Sequence, residues 1–182
     1  MARRAGPKQI TDAGSERPAP DLAGAVEIAL HYLGPRPRTR WEVARRLQRA
    51  GCDEQVLEAA LGRLTDLGYL DDLAFAHWWR DQRDRHAPRG ERLLAAELRQ
   101  RGVPREVIDE LASEPRAMGD HEGTPPADDE TRARDALERH LRGRPLPTDR
   151  AQLQRLGSFL MRRGFDAETV RRTLRTAAEE RD

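Results

Sequence analysis

Cysteine, lysine and aromatic residues are scarce in this chain, and each scarcity closes off a class of answer. Cys52 stands alone among 182 residues. No internal disulfide can form, and a reducing compartment is expected. Aromatics make up 4% of the residues and charged side chains 36%, with a mean hydropathy of -0.87. Such a sequence does not supply one large core, and several small helical units with modest cores suit it better. No charged start leads into an apolar stretch of signal-peptide character. The most apolar segment, 22–33, is interrupted by Glu27 and His31, which excludes a membrane span. A cytoplasmic protein is expected. Stretches of strand length with β-branched residues at period two are also missing, so no sheet is predicted.

Catalytic constellations are missing too. The chain has no phosphate-cradling glycine loop, no paired-cysteine motif and no H-E-x-x-H spacing. His31, His77, His86, His121 and His140 are scattered, none one helical turn from another. Asp120, His121, Glu122, Asp128, Asp129 and Glu130 are hard-cation ligands by type, but they sit in a linker-like stretch and read as a solvated loop. Cys52 falls in an apolar column and reads as a small buried hydrophobe. No catalytic residue, cofactor or metal site is predicted, and the chain is not expected to be an enzyme.

What is present is helix after helix. Helices are predicted near 22–33, 39–50, 53–67, 72–86, 90–101, 104–113, 129–142, 149–163 and 166–180. Thr39 to Glu42 reads as a capping box. Gly51, Gly102 and Gly164 mark an internal repeat. Four residues before them stand Leu47, Leu98 and Leu160, and eight before stand Val43, Leu94 and Leu156. Directly after come Cys52, Val103 and Phe165, then Asp53, Pro104 and Asp166; six after come Leu57, Ile108 and Val170. This is the spacing of a helix hairpin with the glycine just past the first helix. Each hairpin follows another helix. The expected organisation is a disordered tail over 1–20, three-helix units over 21–70, 71–113 and 129–182, and a linker over 114–128.

The stretch Gly68-Tyr69-Leu70-Asp71-Asp72-Leu73-Ala74-Phe75-Ala76 joins the first two units. Gly68 suits a left-handed helix end, and Asp71 or Asp72 suits the next N-cap. Phe75, Ala76 and Trp79 share one face of the following helix and are expected in the core. Trp78 points about 100° away, toward a neighbouring unit or a partner.

Lys8 is the only lysine, so the basic residues are nearly all arginine, and they cluster. Arg36, Arg38, Arg40, Arg45, Arg46 and Arg49 crowd the first hairpin against Glu42 alone. Arg80, Arg83, Arg85, Arg89, Arg92, Arg99 and Arg101 form a second group, interleaved with acids; Arg162 and Arg163 open a third with Arg171, Arg172 and Arg175. Guanidinium forks bind carboxylate or phosphate at two points, so these groups are candidate contacts to an acidic protein groove or a nucleic-acid backbone.

The GYLDDLAFA stretch, with Arg36-Pro37-Arg38-Thr39-Arg40-Trp41-Glu42-Val43 upstream and Glu97-Leu98-Arg99-Gln100-Arg101-Gly102-Val103 and Phe159-Leu160-Met161-Arg162-Arg163-Gly164-Phe165-Asp166 downstream, resembles the RecX family of bacterial regulators of the RecA recombinase. The resemblance implies an all-α protein of three tandem three-helix units forming an elongated, curved body. It implies a monomeric, non-catalytic partner of the RecA filament on single-stranded DNA, one that inhibits ATP hydrolysis, strand exchange and filament growth. The segment from Ser113 to Asp128 is longer than a joint between such units requires, which suits a loosely tethered third unit, and the Asp128-Asp129-Glu130 start lacks the Gly-Tyr-Leu lead and a Phe75 equivalent for packing on unit two. A different reading is a helix-turn-helix DNA-binding protein over Thr39 to Leu61. Asp53, Glu54 and Glu58 on its second helix oppose base reading, although weak nonspecific DNA contact by the basic faces is compatible with the sequence.

Overall fold

The computed structural model describes residues 18–114 and 128–180. Most of the tail expected over 1–20 and of the linker expected over 114–128 lies outside the described residues. Within them the chain forms α1 (Leu22–Leu33), α2 (Arg40–Arg49), α3 (Glu54–Asp66), α4 (Asp72–His86), α5 (Glu91–Gln100), α6 (Arg105–Ser113), α7 (Asp129–Leu141), α8 (Arg150–Arg162) and α9 (Ala167–Glu179). No strand occurs among the described residues.

Side-chain capping explains where most helices begin. Asp21, Thr39, Asp53, Asp71, Asp128, Asp149 and Asp166 each accept a backbone N–H of the first turn. Each satisfies donors that the helix itself leaves unpaired. Thr39 and Glu42 complete the capping box. Gly90 and Pro104 start α5 and α6 without a side-chain cap.

The three repeat glycines end α2, α5 and α8 in the left-handed region, with φ of 84° at Gly51, 77° at Gly102 and 90° at Gly164. The residue after each donates back to the leucine four before the glycine. Cys52 N reaches Leu47 O at 3.2 Å, Val103 N reaches Leu98 O at 3.1 Å and Phe165 N reaches Leu160 O at 3.4 Å. This is one Schellman ending used three times, each with its apolar residue folded back beside the helix.

Each unit encloses its own core. The first gathers Val43, Leu47, Leu57, Leu61 and Leu64 with Ala25 and Ala29; the second Phe75, Trp79, Leu94, Leu98, Val103 and Ile108; the third Leu137, Leu156, Leu160, Phe165 and Val170. Extensive helix packing stays within units, α1–α3, α4–α6 and α7–α9. The architecture is three helical modules in tandem, as in other quasi-one-dimensional arrays.

Two expectations need refinement. Cys52 is half-buried at the edge of its core rather than sealed inside, and burial with the neighbouring Asp53 charge pushes its thiol pKa up. Trp78 is partly buried and packs within its own unit. Its ring centroid lies 5.7 Å from Phe75 and 6.0 Å from Trp79, so it leans on the core of its own unit. An indole is long enough to reach back from a position 100° off the apolar face.

Candidate partner interface and the joints that shape it

Units one and two meet where α2 begins. Thr39 Oγ1 donates to the carbonyl of Arg101 at 2.6 Å, and Asp72 Oδ1 accepts the Arg40 N–H at 2.8 Å. Asp71 accepts from Leu73 N and Ala74 N, both at 2.9 Å. The two adjacent aspartates therefore divide their work: Asp71 caps its own helix, and Asp72 reaches across to satisfy the first turn of α2. Burial pushes the Asp72 carboxyl above its usual pKa, against the opposing pull of the Arg40 N–H and charge.

Charge completes this joint. Glu42 Oε1 takes Arg36 at 3.1 Å and Arg101 at 3.2 Å. Arg101 also lies 3.7 Å over the Trp79 ring, and Arg83 lies 4.2 Å over it. Glu97 accepts the Trp79 indole N–H at 2.9 Å and pairs with Arg83 at 2.7 Å and Arg89 at 3.4 Å. Burial, with the Arg36 and Arg83 charges, pulls the Arg101 pKa down, while Glu42 and Glu97 oppose the shift.

Units two and three repeat the design. Gly90 N donates to the carbonyl of Arg163 at 2.9 Å, the counterpart of Thr39 on Arg101. Asp129 Oδ2 faces Glu91 N at 3.5 Å, the counterpart of Asp72 at Arg40 N. The third unit is thus seated by equivalent contacts despite lacking the Gly-Tyr-Leu lead. Arg139 and Arg163 add bonds to the carbonyls of Arg85 and Pro88, at 2.8 and 3.3 Å.

Arg132 anchors this second joint and was invisible in the sequence as a special residue. Its side chain is 1% exposed and pairs with Glu91 at 3.0 Å, with Asp129, and with Asp84 at 3.7 Å, joining α4, α5 and α7. The only sequence signal is an arginine next to Ala133 and about one helical turn before Ala136, on the apolar side of α7. Arg80 is also buried, contacting His77 Nδ1 at 2.9 Å and the Leu111 carbonyl at 3.4 Å.

The arginines singled out from the sequence therefore separate into two populations. Arg36, Arg83, Arg89, Arg101 and Arg163 are tied into the joints or their flanks. Arg40 pairs with Glu58 at 2.7 Å, Arg38 covers the Tyr32 ring at 4.2 Å, and Arg85 bonds the Asp81 carbonyl at 3.4 Å. Arg45 covers the exposed Trp41 ring at 4.7 Å. Arg46, Arg49, Arg92, Arg99 and Arg162 have no acidic partner among the described residues.

Arg92, Arg99 and Arg162 meet at an open groove of about 710 Å³ between α5, α6 and α8. Its floor is apolar, with Leu93, Ala96, Ala112 and Met161, and Met161 is 54% exposed. The groove's two carboxylates are already neutralised: Glu91 by Arg132 and Asp109 by Arg105 at 3.4 Å. A net cationic rim over an apolar floor suits an acidic polypeptide with an apolar anchor. Of the GYLDDLAFA residues, Leu70, Phe75 and Ala76 are buried, as is Trp79 one turn beyond Phe75; Gly68 takes φ 74°, and Tyr69 is exposed. The motif forms the connection between units one and two.

No helix among the described residues is long and apolar enough to cross a membrane, and none of their His, Cys, Asp and Glu side chains group as a metal site.

Comparison with known proteins follows the three units. The family models for RecX match residues 25–64 as the first three-helix domain, 71–111 as the second and 128–174 as the third. A regulatory protein RecX of Thermobifida fusca is 39% identical over 171 residues, covering 91% of this chain and 85% of that relative. One from Streptomyces coelicolor is 33% identical over 166 residues, covering 91% and 83%. The crystal structure of RecX from Lactobacillus salivarius superposes with a TM-score of 0.71 at 16% identity, covering 87% of this chain and 97% of that one, which speaks to the fold. With its three units matched in order and these two relatives aligned over more than four fifths of their lengths, the chain belongs to the RecX family of regulatory proteins.

Proposed function

We propose that this protein is a non-catalytic, cytoplasmic regulator that lies in the helical groove of the RecA filament on single-stranded DNA. There it bridges neighbouring protomers, suppresses ATP hydrolysis and strand exchange, and limits filament growth. The observation that carries this reading is the repeated joint: two equivalent sets of contacts hold three modules as one tandem body. Helices of roughly 15–22 Å, at about 1.5 Å per residue, give that body the reach to touch successive protomers. Weak contacts spread along it combine through effective concentration. Arg46, Arg49, Arg92, Arg99 and Arg162, none of which has an acidic partner among the described residues, are the proposed contacts, with the α5–α6–α8 groove receiving an acidic segment of the recombinase.

The test is to add the purified chain to RecA on single-stranded DNA and follow ATP hydrolysis and strand exchange. Suppression near stoichiometric amounts is expected. The triple variant Arg92→Glu/Arg99→Glu/Arg162→Glu should lose about tenfold or more in potency, since each reversal removes a charge-assisted contact, while helicity is retained. Unchanged hydrolysis together with tight binding to free duplex would instead select the helix-turn-helix reading, against which the exposed Asp53, Glu54 and Glu58 of α3 already stand.

A further inference from the structure

A second cavity, of about 390 Å³, lies on the joint of units two and three. Arg139, Arg142, Arg144 and Arg163 line it together with His86 and His140, and no carboxylate does. None of these four arginines has an acidic partner among the described residues. The negative end of the α7 dipole accounts for a cation at Arg139, in the last turn. It does not account for four. Gathering like charges without acids is unfavourable for folding, and the Arg163 pKa is lowered by burial and by the Arg89 and Arg139 charges.

Backbone geometry at Arg142 points the same way. It sits at φ 52°, ψ 46°, the one non-glycine residue in the left-handed region among those described, and Gly143 follows it at 76°. An L-residue with a side chain is strained there, because its Cβ crowds the following carbonyl oxygen. The Arg142 side chain is exposed and makes no bond within the described structure to offset that strain. Arg144 spends one N–H on the Leu141 carbonyl at 3.1 Å, and Arg139 and Arg163 each spend one on the carbonyls of unit two. Each guanidinium carries five N–H donors, so most of the donors remain for a ligand. One wall is aromatic, where His140 stacks on Phe159 at 4.0 Å and Arg163 lies 4.8 Å over the same ring.

We infer that this cavity is a phosphate-binding site, taking a phosphate-bearing ligand through Arg139, Arg142, Arg144 and Arg163 and thereby clamping unit three onto unit two. Several planar forks converging without carboxylates match the many acceptor oxygens and multiple charge of a polyphosphate or phosphodiester. A carboxylate peptide offers fewer charges in so small a volume. Because ligand would bind arginines whose other donors hold unit two, binding is linked to the stability of the joint. This site is separate from the α5–α6–α8 groove and does not depend on recombinase binding.

The experiment titrates the full chain at low salt with inorganic tripolyphosphate, reading heat of binding and thermal stability. Saturable binding that raises the melting temperature is expected, weakening as salt rises. Arg142→Gly should raise the melting temperature of the free protein, by relieving the left-handed strain, while weakening tripolyphosphate binding about tenfold. Arg144→Ala should weaken binding similarly with little change in stability. A short single-stranded oligonucleotide is then added as competitor: displacement identifies the site as one for nucleic-acid phosphates, and no displacement as one for a free phosphate ligand. Absence of saturable tripolyphosphate binding, or wild-type binding by both variants, would overturn the inference.

Discussion

The Trp41 side chain occupies the space into which a side chain on Gly102 would project, with Trp41 Cβ and Cγ each 2.4 Å from the position of an added methyl. Gly51 holds the equivalent place in the first unit and has open space there. The pair separates backbone from packing. Gly51→Ala should cost about 1–2 kcal/mol for its left-handed φ alone. Gly102→Ala should cost more, because the indole must also move and open the joint. Chemical denaturation of both variants checks the difference; equal losses would mean that Trp41 contributes nothing to the joint.

Gly90 gives a cleaner probe of the other joint. Its φ of -71° suits any residue, but an added Cβ would sit 2.3 Å from the carbonyl oxygen of Gly164. Gly90→Ala should therefore leave α5 formed while pushing unit three away. Amide exchange should show faster opening of the Gly90 N–H and of α7 through α9, with the first unit unchanged. Protection equal to wild type throughout would contradict this.

Replacing Arg132 tests the buried ion network. Arg132→Met keeps volume but leaves Asp84, Glu91 and Asp129 facing one another. The loss at neutral pH should be about 3 kcal/mol, toward the low side for a stranded buried pair because the acids keep some access to water. Added salt should narrow the deficit by screening the charges that the guanidinium had balanced. Chemical denaturation of both proteins at low and high salt reads this directly, and an equal loss at both would contradict it.

Asp166 makes stability depend on pH. Hydrogen bonds from the Thr169 N–H at 2.8 Å, the Thr169 hydroxyl at 2.9 Å and the Glu168 N–H at 2.8 Å hold its carboxyl below the usual pKa. A depressed folded-state pKa means stability that is present above the unfolded value of about 3.9 and is lost as pH falls through the folded one. Asp166→Ala should cost about 1 kcal/mol at pH 7, and the gap from wild type should close in acid. A gap independent of pH would show that the cap acts without its charge.

Much of the fold was legible because it is written in local chemistry. The glycine columns, the Leu47, Leu98 and Leu160 positions and the capping aspartates each act within about two helical turns, the range in which sequence patterns are direct. Asp71 and Asp72 were readable as alternatives for one cap, but only three dimensions reveal that both are used, on different helices. The arginines were less legible still. Guanidinium is the same group whether it closes a joint, as at Arg101, or faces water, as at Arg162, and spacing does not tell the two apart. The run from Arg139 to Arg144 did carry a signal, four Arg or His residues among six. No single helix face collects it, so helical spacing does not mark it as a cluster; the left-handed turn at Arg142 brings it together.

The joint also has a direction. Each module offers the start of its middle helix to the module that follows, so Thr39 and Gly90 are buried while Asp149, Arg150 and Ala151 at the corresponding place in the last module face solvent. A head-to-tail connection of this kind joins two different surfaces and does not pair with itself, so the same contact can be repeated from one module to the next. Among the described residues, the start of α8 carries no further module, so the surface that the first two modules bury in their joints is presented to solvent by the third.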